Sequence, residues 1–352
     1  MGRKQISSPM VGTRPRVTSK CCTWICAQEA DVEGSIASVY KVVMYVAGKN
    51  KVYSFQPYTI QRAMSGTLAL QQYTTKNGTK THYELQGPDT GSLIVLLHGL
   101  GGSTRTFKPL LPLLPSQAHQ ILAVDFEGFG KSPLTDPSKP LSIVRYVADL
   151  DDLIAHVQRN RNCKKQDLQA RPVIFVGHSL GSIVALHYAA KYPSAVGGLA
   201  LLGVGRSASH IPAVRDRMLA LAATVRSQGI KAAADVASSS NFPSDSETTD
   251  AMRREVHQTV ESSDSEAYAH LCEAMVSSSH QDPDYAAITC PVALISGVDD
   301  TISPLARAEG LAPLLGGSCT IDAVRGGHQP IISDLEGTQR AVNRLIDSVL
   351  HG

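Results

Sequence analysis

The stretch that decides the fold is VIFVGHSLG, residues 173–181, in which a short apolar run leads into a Gly-x-Ser-x-Gly pentapeptide. A helix-like stretch follows at 182–191. On a strand-to-helix turn of this kind the nucleophile is strained, and a Cβ two residues to either side would collide with neighbouring chain. Gly177 and Gly181 meet that demand. The pattern predicts a displayed nucleophile, Ser179; the alternative is an ordinary glycine-flanked turn with a solvent-facing serine.

An acid and a base follow later in the chain, each after a strand-like run. The run 292–296 leads to Asp299 and Asp300, and the run 319–324 leads to His328. A serine hydroxyl is a weak nucleophile at neutral pH, so an imidazole must take its proton while a carboxylate orients the ring. The sequence therefore predicts a triad in which the histidine is the base and one of the two aspartates is the acid.

Backbone donors are the next requirement, because negative charge develops on the carbonyl oxygen during attack. Preorganised donors that face this oxygen can contribute roughly 3 to 4 kcal/mol each. We expect one to be the amide of Leu180, directly after the nucleophile at a helix start. The other is expected from the loop HGLGGS, residues 98–103, with the amide of Leu100 as the candidate. His98 is interpreted as a hydrogen bonder that fixes this loop.

A second glycine-rich loop, DFEGFGKS at 125–132, follows an apolar run. Its glycines suit a sharp turn at the carboxyl edge of a sheet. We interpret the loop as scaffold, with Phe126 and Phe129 as candidates to reach a substrate pocket.

These four motifs, in their order along the chain, resemble the α/β-hydrolase superfamily over roughly residues 68–350. Within it the chain is most similar to metal-independent lactone hydrolases of the 3-oxoadipate enol-lactonase type. In that family the acid stands three residues after a glycine and four before a proline, which selects Asp300 over Asp299. The resemblance implies hydrolysis of a small-molecule carboxylic ester, a lactone above all, through an acyl-enzyme with no metal or organic cofactor.

Alternating strand and helix patterns with near-continuous apolar strands indicate an α/β fold with a mostly parallel central sheet and helices on both faces. We expect an N-terminal extension at 1–66, a core split into 67–205 and 286–352, and a helical lid at 206–285. Within the lid, helical patterns fall at 211–228, 246–261 and 265–277.

The lid also bears on the substrate. If the substrate is an enol lactone with a carboxylate, as the resemblance implies, a cationic lid group should face the pocket, and Arg206, Arg215 and Arg217 are the candidates. Each has the alternative of a solvated surface arginine. The polar segment 237–243 stands where the family usually carries bulky aromatic residues, which leaves the substrate itself open.

Other functions share these motifs. The same triad serves general carboxylesterases and carbon–carbon bond hydrolases, and some members of the fold act as small-molecule receptors that keep a triad. Epoxide hydrolysis and dehalogenation are disfavoured, because relatives with those activities carry an aspartate in place of Ser179.

Composition excludes several classes of protein. The chain has 352 residues, with 33 Lys and Arg against 31 Asp and Glu, so the charge balance does not indicate a nucleic acid or an anionic membrane surface as partner. No apolar run approaches the 18 residues of a membrane span. An odd count of seven cysteines favours reduced thiols in a cytoplasmic protein. The basic, hydroxyl-rich residues 1–66 leave mitochondrial targeting as an alternative to a loosely attached tail.

Overall fold

The computed structural model describes residues 45–46, 49–50, 71–161, 173–244 and 248–351. The chain divides into two units between Thr67 and Leu68. In the first unit the described residues form a pair of two-residue antiparallel strands, Tyr45–Val46 and Lys49–Asn50. The other residues of the expected N-terminal extension lie outside the described part.

Eight strands build the sheet within the described part of the second unit. They are β1 (Gln71–Thr74), β2 (Lys80–Gln86), β3 (Leu93–Leu97), β4 (Gln120–Val124), β5 (Val173–His178), β6 (Val196–Leu202), β7 (Val292–Gly297) and β8 (Cys319–Val324). Their order across the sheet is β8-β7-β6-β5-β3-β4-β2-β1. The hairpin of β1 and β2 is antiparallel and β2 pairs antiparallel with β4, whereas every other pair is parallel. The predicted mostly parallel sheet is confirmed.

Helices connect these strands. The α-helices are α1 (Ile143–Arg159), α2 (Leu180–Lys191), α3 (Pro212–Gln228), α4 (Ile230–Ser240), α5 (Asp250–Glu261), α6 (Ser265–Val276), α7 (Leu305–Leu311), α8 (Pro330–Ser333) and α9 (Leu335–His351). Short 3-10 turns lie at Thr104–Phe107, Leu111–Leu113, Pro193–Ala195, Tyr285–Ala287 and Ala312–Leu314. Among the described residues, no helix combines the length and the apolar character needed to cross a bilayer.

The central strands are apolar at every position because both faces of the sheet are covered. In β3, Val95 and Leu97 pack into the cluster that includes the buried faces of α1 and α2. Their neighbours Ile94 and Leu96 point the other way, into a second cluster with α9 and the turn at Thr104–Phe107. Alternate residues of a strand face opposite sides, so a strand with two covered faces shows no polar alternation.

The helical insertion, which we define as residues 206–285, contains α3 to α6. Three of these helices match the predicted patterns, and α4 is an addition that the sequence analysis missed. The two ends of the insertion are tied together. Arg206 forms an ion pair with Asp282 at 2.8 Å, and Ser207 donates its N–H to Asp282 and its hydroxyl to the carbonyl of His280.

Candidate active site

Ser179 lies on the sharp turn between β5 and α2. Its backbone has φ 50° and ψ −109°, and it is the one non-glycine residue with positive φ in the described ranges. Such a conformation costs about 1 to 3 kcal/mol and persists where the surroundings enforce it. A Cβ added to Gly177 would lie 2.7 Å from the carbonyl oxygen of Gly181, and one on Gly181 would lie 2.1 Å from that of Leu97. The predicted need for small residues on both sides is therefore confirmed.

Two other side chains meet Ser179 at the carboxyl ends of the parallel strands. His328, in the loop after β8, has its Nε2 2.9 Å from the Oγ of Ser179. Its Nδ1 lies 2.7 Å from Oδ2 of Asp300, in the loop after β7. The neighbouring Asp299 is exposed and takes no part in this chain of hydrogen bonds. The structure thus joins the three residues selected from the sequence, which are far apart in the polypeptide.

Asp300 is buried and both oxygens of its carboxylate accept hydrogen bonds. Oδ1 accepts hydrogen bonds from the backbone N–H groups of Ile302 and Ser303, both at 2.8 Å, and Oδ2 faces the imidazole. Burial alone would raise the pKa of Asp300, but these bonds and the nearby His328 outweigh it and hold the pKa below its usual value. An ionised Asp300 accepts from Nδ1–H, which leaves the lone pair of Nε2 facing the serine hydroxyl.

Two contacts that sequence reasoning missed hold the histidine loop in place. His178, beside the nucleophile, has its Nε2 2.7 Å from the carbonyl oxygen of His328. Burial, and then the proximity of His328, lowers the pKa of His178 to about 3, so its ring is neutral and Nε2 carries the donated hydrogen. From the helical insertion, the carbonyl of Asn241 accepts the backbone N–H of His328 at 2.8 Å.

The two amides predicted to face a developing oxyanion lie at the same edge. Leu180 is the first residue of α2, so its N–H has no partner within the helix. Leu100 borders the cavity described below and precedes Gly101, which has φ 73°. In the described part of the chain, neither N–H donates to a protein acceptor. His98 is fully buried and fixes this loop as expected: its Nδ1 donates to the carbonyl of Gly99, and its Nε2 accepts the N–H of Phe126.

A cavity of about 440 Å³ opens beside Ser179 and His328. Its floor comes from the core loops after β3, β5, β6, β7 and β8, and its walls come from α3, α4 and α6 of the helical insertion. The lining is mostly apolar, with Ile183, Val214, Met218, Leu221, Val236, Tyr268, Met275 and Val276 among its residues. A largely apolar cavity with a few polar groups is typical of a small-molecule site.

The arginines proposed from the sequence divide into two groups. Arg206 and Arg217 border the cavity. Arg206 is already paired with Asp282 and lies over the ring of Tyr285, 5.1 Å from its centroid. Arg215 does not border the cavity; its side chain is exposed and pairs with Asp216.

The two phenylalanines proposed as pocket residues belong to the core instead. Phe126 is buried and stacks on Tyr146 with ring centroids 4.7 Å apart. Phe129 is buried next to His98. Neither lines the cavity. Both rings instead contact His98, at centroid distances of 4.8 and 5.7 Å, and so support the HGLGGS loop.

Arg307 is a cavity residue that the sequence analysis did not single out. It lies in the first turn of α7, seven residues after Asp300, and is half-buried. Its place in the lining next to Thr301, Ile302 and Ser303 follows from the turn of the chain after the acid. The sequence feature that indicates Arg307 is its position in the helix directly after the loop of the acid, Asp300.

Comparison with known proteins agrees with this architecture. Residues 94–338 match the alpha/beta hydrolase family. A proline iminopeptidase, PfmaB, of Pestalotiopsis fici is 33% identical over 142 residues, which are 40% of this chain and 46% of that protein. A putative carbamate hydrolase, RutD, of Shigella flexneri is 26% identical over 265 residues, 74% of this chain and 92% of that protein. The chain spans about half the length of the first curated relatives that it matches.

Solved structures extend the likeness over most of the described chain. An esterase from Thermogutta terrifontis has a TM-score of 0.68 at 21% identity, covering 80% of this chain and 98% of that one. An enol-lactonase from Burkholderia xenovorans LB400 has a TM-score of 0.63 at 22% identity, covering 78% and 99%. At these identities the structural likeness establishes the fold. Because the family match covers more than half of the sequence and carries the strand-turn-helix of Ser179, this chain belongs to the alpha/beta hydrolase family.

Proposed function

We propose that the protein is a serine hydrolase of carboxylic esters, with lactones as its favoured substrates, acting through an acyl-enzyme on Ser179. The observation that carries the proposal is the hydrogen-bonded chain from Ser179 through His328 to Asp300 at the edge of a 440 Å³ apolar cavity. Each of these three residues has the conformation or the charge that its role requires. The serine is strained and displayed, the imidazole bridges the two, and the acid is ionised.

The first half-reaction follows from this geometry. Oγ of Ser179 attacks the ester carbonyl while its proton passes to Nε2 of His328. The amides of Leu100 and Leu180 stabilise the negative charge on the former carbonyl oxygen. The bond to the leaving oxygen then breaks, and Nε2–H returns its proton to that oxygen. Asp300 stabilises the imidazolium throughout.

Water completes the cycle. A water molecule gives a proton to Nε2 and attacks the acyl carbon, the bond to Oγ breaks, and the proton returns to Ser179. In a lactone the leaving oxygen remains attached to the acyl chain, so the cavity must hold the whole opened molecule. For an enol lactone the leaving group is an enolate that can tautomerise to a ketone, which makes ring opening effectively one-way.

The helical insertion fits the part of a lid in this scheme. Its helices α3, α4 and α6 provide most of the apolar wall of the cavity, and its Asn241 holds the loop of the base. A cover of this kind excludes water from the charged intermediate and shapes the acyl pocket.

Replacing the nucleophile tests the proposal. Ser179→Ala should lower kcat for a lactone or aryl ester by at least about ten thousand-fold, because the residual rate comes only from binding and the oxyanion donors. A fluorophosphonate should label the wild type at one peptide, the one with Ser179. Ser227→Ala is the matched control, since Ser227 is exposed on α3 and bonds only within its helix. Undiminished turnover in Ser179→Ala would refute the assignment.

A substrate panel separates the ester hydrolase from its rivals. We expect lactones and aryl esters to be hydrolysed faster than a matched 1,3-diketone or carbamate. Faster cleavage of the diketone would favour a carbon–carbon bond hydrolase, and faster cleavage of the carbamate would favour the activity in the name of the RutD relative. Tight binding of a small ligand with a single turnover would favour a receptor.

A further inference from the structure

The hydroxyl of Tyr268 has no partner within the described part of the protein. Tyr268 is 4% exposed and lines the cavity beside Ser179. Its hydroxyl forms no hydrogen bond with any described residue, and its oxygen is not one of the sealed polar atoms that lack a partner. Because the cavity is the open space that this buried side chain borders, the oxygen is open to the cavity. A buried tyrosine hydroxyl usually finds a hydrogen-bond partner, so the partner of this one must come from the contents of the cavity.

The far end of this side chain lies against the loop that is expected to hold the oxyanion. A Cβ added to Gly101 would lie 3.0 Å from Cε2 of Tyr268, the ring carbon next to the one that carries the hydroxyl. Gly101 directly follows Leu100, whose amide is proposed to receive the carbonyl oxygen of the substrate. The hydroxyl is therefore near the position of the scissile carbonyl.

The start of helix α6 holds Tyr268 in this position. The N–H of Asp264, the residue that caps the helix, donates to the carbonyl of Gly128 at 3.0 Å. A Cβ on Gly128 would overlap the Cβ of Ala267, the residue before Tyr268. The first turn of α6 is thus packed directly on the core loop DFEGFGKS. A donor that is held in place in this way needs little reorganisation when it binds a ligand.

The hydroxyl of Tyr268 is a neutral donor. Burial raises the pKa of Tyr268 above its usual value, so the phenol keeps its proton over the pH range of an enzyme assay. A phenol O–H donates one hydrogen bond and can accept another. None of the described residues that line the cavity is an aspartate or a glutamate. The wall therefore offers no carboxylate to accept the proton of the phenol, and the acceptor must belong to the ligand.

We propose that Tyr268 binds a hydroxyl group on the carbon next to the scissile carbonyl, and that the natural substrate is a 2-hydroxy ester or lactone. The inference rests on the proposed function, because it places this group beside the carbonyl that Ser179 attacks. The amides of Leu100 and Leu180 are assigned to the carbonyl oxygen itself, which leaves the phenol for the neighbouring substituent. An apolar substituent there would leave the phenol buried without a partner. A site that is built to bind a hydroxyl rejects the analogue that lacks it for this reason.

A matched pair of lactones tests the role of Tyr268. α-Hydroxy-γ-butyrolactone and α-methyl-γ-butyrolactone have the same ring and differ by a hydroxyl in place of a methyl group. Each enzymatic rate is divided by the rate of alkaline hydrolysis of the same lactone, which corrects for the electronic effect of the hydroxyl. We expect the wild type to prefer the hydroxy lactone in kcat/KM. Tyr268→Phe keeps the ring and should lower the hydroxy-to-methyl ratio about five- to tenfold, because a hydrogen bond between neutral groups contributes that much.

The control variant is Tyr188→Phe, which removes a hydroxyl that bonds Asp151 outside the cavity and should leave the ratio unchanged. Two outcomes would overturn the proposal. One is a wild type without preference for the hydroxy lactone. The other is an unchanged ratio in Tyr268→Phe, whether both activities persist or fall together, because the hydroxyl would then serve the oxyanion or the packing of the helical insertion.

Direct binding separates a failure of this proposal from a failure of the proposed function. If neither lactone is hydrolysed and the fluorophosphonate does not label Ser179, the proposed function fails. NMR titration of Ser179→Ala with each lactone then still decides the role of Tyr268. Tighter binding of the hydroxy lactone, by a factor that Tyr268→Phe reduces at least fivefold in the same background, supports it. Equal binding of the two lactones, a preference that Tyr268→Phe leaves unchanged, or absence of binding overturns it.

Discussion

His178 is next to the nucleophile in sequence, yet its side chain holds the loop of the base, His328. Its ring donates to the carbonyl of His328, and the ring of His328 in turn reaches Ser179. Two hydrogen bonds therefore join the elbow to the histidine loop. One ends on the backbone carbonyl of His328 and the other on its imidazole. A neutral buried imidazole can fill this position because its pKa of about 3 keeps it uncharged across the physiological range.

This bond predicts a graded response to substitution of His178. His178→Leu leaves the buried carbonyl of His328 without a donor and should lower kcat roughly tenfold, in line with about 1 to 3 kcal/mol for an unsatisfied buried group. His178→Gln places an amide N–H near the position of Nε2 and should retain most of the activity. The rate of fluorophosphonate labelling should fall in parallel with kcat. Equal activity in the two variants would contradict a positioning role.

The residues of the site differ in how far sequence could identify them. Ser179 and His328 stand at the ends of strand-like runs beside glycines, so local pattern selects them, whereas the family resemblance selects Asp300 over Asp299. The structure brings the three residues together. Asn241 has no such local signal, and Arg307 has only its position in the helix directly after the acid loop. Their places beside the cavity and the histidine loop depend on how α7 and the helical insertion pack, which is tertiary information.

At the level of elements, the contact between the helical insertion and the histidine loop depends on close backbone approach. A Cβ on Gly327 would lie 2.5 Å from the carbonyl oxygen of Asn241. The same carbonyl accepts the N–H of His328. The insertion and the base therefore share one hydrogen bond that only glycine at position 327 permits.

Gly327→Ala should disturb both elements. The methyl group forces the two loops apart, so we expect a loss of about 1 to 3 kcal/mol in the free energy of unfolding and a fall in kcat. Gly310→Ala is the control, because a Cβ there meets nothing within 4 Å and the residue lies within α7. That variant should be neutral or up to about 1 kcal/mol more stable. Urea unfolding and ester turnover measure both; equal effects would contradict the contact.

Helix α4 shows where pattern reasoning fails at this scale. Its sequence, IKAAADVASSS, buries the small residues Ala233, Ala234 and Ala237 and exposes Val236. Its buried side is made of alanine rather than of large apolar residues, and the sequence analysis assigned no helix to this stretch. The polar segment expected at 237–243 is in fact the end of this helix followed by a turn. Three residues of α4, Val236, Ala237 and Ser240, line the cavity.

The fold class of the whole molecule is the feature that the sequence predicts best. Near-continuous apolar strands required cover on both faces, and the structure provides it with two separate core clusters. The parallel order places the ends of β3, β5, β6, β7 and β8 at one edge, where the cavity lies. Fold class follows from such alternation because the pattern repeats over the whole chain and single errors cancel.

Two histidines with lowered pKa values make the free energy of unfolding of the whole molecule depend on pH. The pKa of His178 is lowered to about 3, and burial, followed by the proximity of His280, lowers that of His187 to about 4. In the unfolded chain each would have its ordinary pKa of about 6.5. Between these values the unfolded state binds more protons, so the free energy of unfolding should fall as the pH is lowered from 7 to 5.

The slope can be measured by urea unfolding at pH 7, 6 and 5. Each such histidine contributes at most about 1.4 kcal/mol per pH unit below its unfolded pKa. His187→Gln removes one titrating group away from Ser179 and should reduce the slope. A free energy of unfolding that stays constant over this range, or the same slope in the variant, would contradict the prediction.

The ion pair between Arg206 and Asp282 places the entry and the exit of the helical insertion side by side. A segment that leaves and rejoins a scaffold at one point can be exchanged as a unit, since its replacement needs only to span the same short gap. Grafting the corresponding segment of another hydrolase between these two residues would replace most of the cavity wall. The strands, the elbow and Arg307 would stay unchanged. The same exchange during evolution would change the substrate specificity and leave the residues Ser179, Asp300 and His328 in place.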